Sequence, residues 1–185
     1  MTSTSVEGIE LNKKVEAAQR FQESNIIGEA IKLYEDVINF SVKVAAGEEL
    51  AEDIVKAKEQ ATYKLAGLYK DKSLIDELIT LQKAILPLFI DMPKSKTAKI
   101  VRSLFDMILE IPAAVETRTK DLIELCKYII AWCEKESRSF LRMRIENKLA
   151  DLYFRMQRYA DSLEVLKKLL YELKKKEDKI LLVEA

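Results

Sequence analysis

Two cysteines, Cys126 and Cys133, are the only thiols in this 185-residue chain, and there is no histidine anywhere. A catalytic thiol needs a base or a positive environment to become the thiolate. Histidine is also the usual general base and metal ligand near neutral pH. The two cysteines sit seven residues apart in one helical segment. That places them on one face but about two turns, roughly 10 Å, apart, and a disulfide needs Cα atoms within about 7 Å. They read as ordinary buried thiols. The four glycines, at 8, 28, 47 and 67, are isolated, so there is no phosphate-cradling loop. No Gly-x-Ser-x-Gly elbow occurs. The acidic pairs Glu35-Asp36 and Asp76-Glu77 read as solvated helix faces, and Asn39-Phe40-Ser41 as a chance glycosylation pattern. These residues point to a protein that is not an enzyme, with no catalytic group, no metal and no cofactor.

What remains is charge. Lys94, Lys96, Lys99 and Arg102 line the opening of a helical stretch. Cations at a helix start oppose its dipole, so these four are the candidate partner-binding residues, suited to an acidic partner. Lys174-Lys175-Lys176 ends a helical stretch, where the dipole favours cations, and needs no further role. Basic and acidic residues balance at 31 each. A nucleic-acid binder should be strongly basic, so nucleic acid is not expected as a partner. The balance is uneven along the chain, with 11 basic against 16 acidic in residues 1–93 and 20 against 15 in 94–185.

The elements that hold these groups are helices. Hydrophobic residues make up 49% and charged residues 34%, with four Gly and three Pro, the composition of an ordered and nearly all-helical chain. No apolar run approaches the length of a membrane span, and residues 1–10 have no signal-peptide pattern. They read as a disordered lead-in. Apolar spacing predicts helices over 11–23, 26–44, 50–71, 74–89, 94–111, 120–136, 140–156 and 159–175. Buried stripes are expected at Leu11, Val15, Ala18 and Phe21 in the first and at Tyr159, Leu163, Leu166 and Leu170 in the last. Gly28 and Ala30 suit a close helix approach. Gly47 should break the second helix, with Glu48-Glu49 complementing the dipole of the third. Ser73 with Asp76, and Ser137 or Ser139, look like N-caps. Pro87 should kink or end the fourth helix. Trp132 should pack between helix layers.

No helix is apolar all round, and the connections are short, so neighbours pair antiparallel. Lys64-Leu65-Ala66-Gly67-Leu68-Tyr69 is echoed by Lys148-Leu149-Ala150-Asp151-Leu152-Tyr153, an offset of 84 residues. That fits two helix-pair repeats of roughly forty residues each. The expected fold is all-α, a right-handed α-solenoid of tetratricopeptide-like (TPR-like) antiparallel helix pairs, about eight helices plus the start of a ninth. Residues 11–185 form the helical-repeat domain. Lys179 to Ala185 is an uncapped apolar stripe, from which a longer protein, cut before its closing repeats, is expected.

Longer strings go beyond a repeat signature. Lys94-Ser95-Lys96-Thr97-Ala98-Lys99-Ile100-Val101-Arg102-Ser103-Leu104, Phe140-Leu141-Arg142, Leu152-Tyr153-Phe154, and Leu170-Tyr171-Glu172-Leu173-Lys174-Lys175 with Leu181-Leu182-Val183-Glu184 resemble the 26S proteasome non-ATPase regulatory subunit 11 family. The resemblance is good over about 94–185. It implies an N-terminal solenoid followed, in the family, by further repeats and a winged-helix PCI domain. It also implies a non-catalytic clamp in the lid of the regulatory particle, in ubiquitin-dependent protein degradation. The implied partners are an α-ring subunit of the core particle, ATPase-ring subunits, and other lid subunits through the C-terminal part. The implied location is the cytoplasm and nucleus, with no membrane and no nucleic acid. The alternatives are a TPR-type peptide-binding adaptor and the paralogous signalosome subunit. An adaptor that grips an acidic terminus needs a spaced Lys/Asn set on first helices, and none is visible.

Overall fold

Four tight turns set the architecture, and each is made by a residue other than glycine in the left-handed region: Asn25 (φ 60°), Ser73 (φ 53°), Ser137 (φ 52°) and Gln157 (φ 59°). At each, the next amide reaches back five residues to a helix carbonyl: Ile26 to Phe21 at 2.8 Å, Leu74 to Tyr69 at 2.8 Å, Arg138 to Cys133 at 2.8 Å and Arg158 to Tyr153 at 2.9 Å. This is the Schellman closure, which satisfies carbonyls left over at a helix end and reverses the chain in three residues. Ser73 and Ser137 therefore end helices, and neither is an N-cap. The caps that follow are Leu74 and Arg138, without a side-chain cap bond, and Ser139 is already helical. Serine suits both jobs in sequence, since short polar side chains tolerate the left-handed region as well as capping helices.

The computed structural model describes residues 3–42 and 50–176. Its helices are α1 (Ser3–Glu23), α2 (Ile27–Asn39), α3 (Glu52–Asp71), α4 (Ile75–Leu88), α5 (Lys94–Leu109), α6 (Pro112–Thr117), α7 (Thr119–Lys135), α8 (Ser139–Arg155) and α9 (Tyr159–Lys176), with no strand among the described residues. The fold is all-α, built of TPR-like helix pairs. Gly47, Glu48-Glu49 and the stretch from Lys179 to Ala185 lie outside the described residues. Three expectations change. Residues 3–10 are helical and extend α1, so they are not a disordered lead-in. The second helix stops at Asn39. A short helix, α6, starts on Pro112, whose fixed φ and missing N–H suit a first helical position.

Gly8 explains the longer α1. A Cβ there would lie 2.6 Å from the Cβ of Asp53, so α1 and α3 meet backbone to backbone at this point. A methyl on Gly28 would meet nothing within 4 Å. The close approach expected at Gly28 is therefore made at Gly8, while Ala30 is fully buried as expected.

The chain divides into two compact units, Met1–Ile108 and Leu109–Ala185. In the first, α1 packs on α2 and α3, and α3 packs on α2 and α4. Leu11, Val15 and Ala18 of α1, Tyr34 and Val37 of α2, Ile54, Ala61 and Leu65 of α3, and Leu78 and Ile85 of α4 are buried. Phe21, expected inside, is exposed. Pro87 stands next to the last residue of α4, which ends there as expected. The buried Gln82 of α4 donates to the Val101 carbonyl of α5 at 3.1 Å, joining those two helices. In the second unit α7 packs on α8 and α8 on α9. Cys126 and Cys133 are buried in α7 and free. Burial pushes the Cys133 thiol up to about 12 and raises Cys126 further, so both stay protonated and inert. Trp132 is half-buried, with the Arg138 guanidinium 4.8 Å over its ring. On α9 the buried residues are Ser162, Leu169 and Leu173, while Tyr159 and Leu163 are about half exposed at 52% and 53%. The buried stripe of α9 is thus turned by a fraction of a turn from the one expected, leaving Leu166 and Leu170 half-buried at its edge and Tyr159 and Leu163 outside.

Candidate functional site

The basic residues at the start of α5 are placed by Thr97, whose buried hydroxyl lies 3.3 Å from the carbonyls of Phe89 and Pro93. Lys94, Lys96, Lys99 and Arg102 are all exposed on this helix. Lys96 and Lys99 both reach back to Glu59 of α3, at 3.0 and 3.4 Å. The Glu59 side chain is only 12% exposed, so one largely covered carboxylate holds two lysines and offsets part of their charge. Lys94 and Arg102 have no ion pair with Glu59 or any other carboxylate among the described residues. The four basic residues are thus of two kinds, Lys96 and Lys99 tethered to Glu59 and Lys94 and Arg102 without such a tether.

A second basic group was hidden. Lys58 of α3 is 2% exposed, and its Nζ donates to the Ile38 carbonyl at 2.7 Å. Ile38 lies in the last turn of α2, where unpaired carbonyls and the helix dipole favour a cation. The Phe89 ring lies 5.6 Å from the ammonium. Burial lowers the Lys58 pKa to about 8, with Asp91 opposing the drop. The sequence signal was available: Lys58 falls one turn after Ile54 and two before Leu65 on the buried stripe.

Each unit also has a groove, and the two occupy the same place in the repeat. In the first unit, α3 forms a floor with Leu65 and Tyr69. α2 gives Glu35 and Asn39 on one wall, and α4 gives Asp76, Glu77, Leu81 and Ala84 on the other, around about 330 Å³. In the second unit, α8 forms the floor with Leu149 and Tyr153, α7 gives Lys127 and Glu134, and α9 gives Asp161, Val165 and Lys168, around about 440 Å³. The 84-residue offset carries Leu65, Tyr69, Glu77, Leu81 and Ala84 onto Leu149, Tyr153, Asp161, Val165 and Lys168. It also carries Ser73 onto Gln157, so the repeat read from the sequence holds down to the turn residue.

The two grooves differ in charge. In the second, Arg158 donates from Nε to Asp161 at 2.7 Å and its guanidinium lies 4.6 Å over the Tyr153 ring. Arg158 corresponds to Leu74 in the first unit. There the Tyr69 hydroxyl donates to Glu35 at 3.4 Å, and burial together with Glu35 and Glu77 pushes the Tyr69 pKa up to about 12. No cation pairs with Glu35 or Glu77 among the described residues. Glu35 from one of the acidic pairs and Asp76-Glu77, the other, therefore line one groove, while Asp36 stays outside it. Among the described residues no group of three or more His, Cys, Asp or Glu could hold a metal ion, and no helix is long and apolar enough to cross a membrane.

Comparison with known proteins fits this picture. The family model of the 26S proteasome regulatory subunit RPN6 N-terminal domain matches residues 11–156. A probable 26S proteasome regulatory subunit rpn6 of Schizosaccharomyces pombe is 36% identical over 171 residues, which is 92% of this chain and 38% of that protein. The 26S proteasome non-ATPase regulatory subunit 11 of Dictyostelium discoideum is 39% identical over 142 residues, 77% of this chain and 33% of that protein. The chain thus spans little more than a third of the length of these relatives. Among solved structures, the TPR-like repeats of a Podospora anserina putative kinesin light chain match 96% of this chain and 99% of that one, at 16% identity and a TM-score of 0.32. That likeness is too slight to bear on the fold, which rests on the helix pairs themselves. The family match reaches back through α1 to α4, where the longer strings were weaker, and the chain belongs to the family of the 26S proteasome regulatory subunit RPN6 through its N-terminal domain.

Proposed function

We propose that this chain is the helical-repeat portion of a non-catalytic scaffold and clamp subunit of the proteasome lid. It helps hold the lid and the ATPase ring to the core particle in ubiquitin-dependent degradation. Its partners are a core-particle α-ring subunit and ATPase-ring subunits, with other lid subunits engaged by sequence that the longer relatives have beyond this region. The site of action is the cytoplasm and nucleus. The observation that most supports this is the family match over residues 11–156. The surfaces described above are of the kind such a role needs: helix pairs stacked side by side are stiff and offer long faces to a partner.

Lys94, Lys96, Lys99 and Arg102 are the proposed contacts for an acidic partner. Lys94 and Arg102 contribute most, because Lys96 and Lys99 must first give up Glu59. The test is direct binding of the chain to purified core particle and to regulatory particle lacking this subunit. Saturable binding is expected, weakened about tenfold by Lys94→Glu with Arg102→Glu, which corresponds to about 1.4 kcal/mol, and less by Lys96→Glu with Lys99→Glu. Absence of binding to both particles, even at low salt, would place the clamp elsewhere.

A further inference from the structure

We propose that the groove between α2 and α4 is a docking site for a partner segment that presents an arginine and, along the same face, apolar side chains. The internal repeat carries the argument. At the matching place in the second unit the chain supplies its own cation, with Arg158 on Asp161 and over Tyr153. In the first unit the same backbone position, after the same turn, is Leu74. The residue corresponding to Asp161 is still acidic, Glu77, and Glu35 is added across the groove on α2, so negative charge rises where the internal cation is lost.

The other end of the groove differs in the same sense. Lys168, whose long side chain lines the second groove, corresponds to Ala84 in the first. An open apolar place is left over Leu65 and Leu81. Glu77 and Ala84 are seven residues apart on α4, roughly 10 Å along the helix. That is the distance between one side chain of a helical segment and another two turns on. The groove is therefore polarised, acidic at the start of α4 and apolar toward its end. A carboxylate pair beside an apolar floor selects a cation that keeps apolar neighbours, and arginine meets two carboxylates better than lysine because its fork offers several donors.

The experiment uses the full chain and a short helical peptide with one arginine and, one and two turns further along the same face, two leucines. Its controls carry glutamate for the arginine, or serine for both leucines. Amide shifts are followed by two-dimensional NMR and affinity by calorimetry. Shifts are expected at Glu35, Tyr69, Glu77 and Ala84, with the arginine peptide binding at least about tenfold tighter than the glutamate peptide. Leu74→Arg copies the second unit's own arrangement and should block the arginine peptide, while Glu77→Gln should weaken it in a chain whose fold is undisturbed. The proposal is overturned if the peptide gives no shifts at millimolar concentration, if they map outside the groove, if arginine and glutamate peptides bind alike, or if both variants bind as the parent does. No proteasome particle takes part, so this result and the clamp test can fail separately.

Discussion

Lys58 shows how one residue can tie three elements and still read as surface in the sequence. Its stem runs through the α3 core, its ammonium serves the end of α2, and the Phe89 ring lies beside it. With a native pKa of about 8 against an ordinary 10.5, the unfolded chain binds more protons than the native one between those two values. Stability contributed at this site therefore rises with pH across that window, and the burial penalty is fully present below pH 8. Other groups that titrate there, Tyr69 and the cysteines, are common to wild type and a Lys58→Met variant and cancel in the difference. The stability difference should move in favour of wild type from pH 8 to 10.5, by up to ~3 kcal/mol at 1.4 kcal/mol per pKa unit. Urea denaturation at several pH values reads it, and a flat difference would mean that folding leaves the proton affinity of Lys58 unchanged. Glu35 and Glu77 were illegible for a related reason. Both are exposed and polar in their own helices, and only the packing of α2 and α4 on α3 sets them across from one another.

At the scale of elements, helix identity was legible and helix ends were not. Apolar spacing located eight of the helices because an amphipathic stripe is a property of the local chain. Gly8, in a polar N-terminal stretch, carries the opposite local signal, since glycine costs about 1 kcal/mol in a helix. Its reason lies in α3, where Asp53 leaves no space for a side chain. Gly8→Ala should therefore destabilise the first unit by about 1–3 kcal/mol through the displaced contact, whereas Gly28→Ala, with open space around it, should stabilise by up to ~1 kcal/mol. Thermal melts of the two variants should shift in opposite directions. The turns give a companion prediction. Ser137 and Gln157 hold left-handed backbone at a cost of about 1 kcal/mol each that glycine avoids. Ser137→Gly and Gln157→Gly should each raise the denaturation midpoint without altering the fold, and a lowered midpoint would show that the side chains make contacts worth more than the strain.

At the scale of the whole chain, the repeat offset of 84 residues is the most informative signal in the sequence, because the repeated residues by themselves align the floors and turns of two grooves. They could not say which groove carries its own cations, since that depends on exchanges outside the echoed string, Leu74 for Arg158 and Ala84 for Lys168. Charge behaves likewise. A net charge of zero gives no attraction from overall charge, so electrostatic binding must come from its uneven distribution and from local patches such as Lys94 and Arg102. Such patches act over about 10 Å at 0.1 M salt and about 3 Å at 1 M. Affinity of the chain for the core or regulatory particle should then fall as salt rises, and Lys94→Glu with Arg102→Glu should flatten that dependence as well as lower the affinity. Lys96→Glu with Lys99→Glu should leave most of the slope in place, because Glu59 already offsets part of that charge. Titrations at three salt concentrations separate the cases. A wild-type affinity insensitive to salt would move the contact from the basic opening of α5 to an apolar surface.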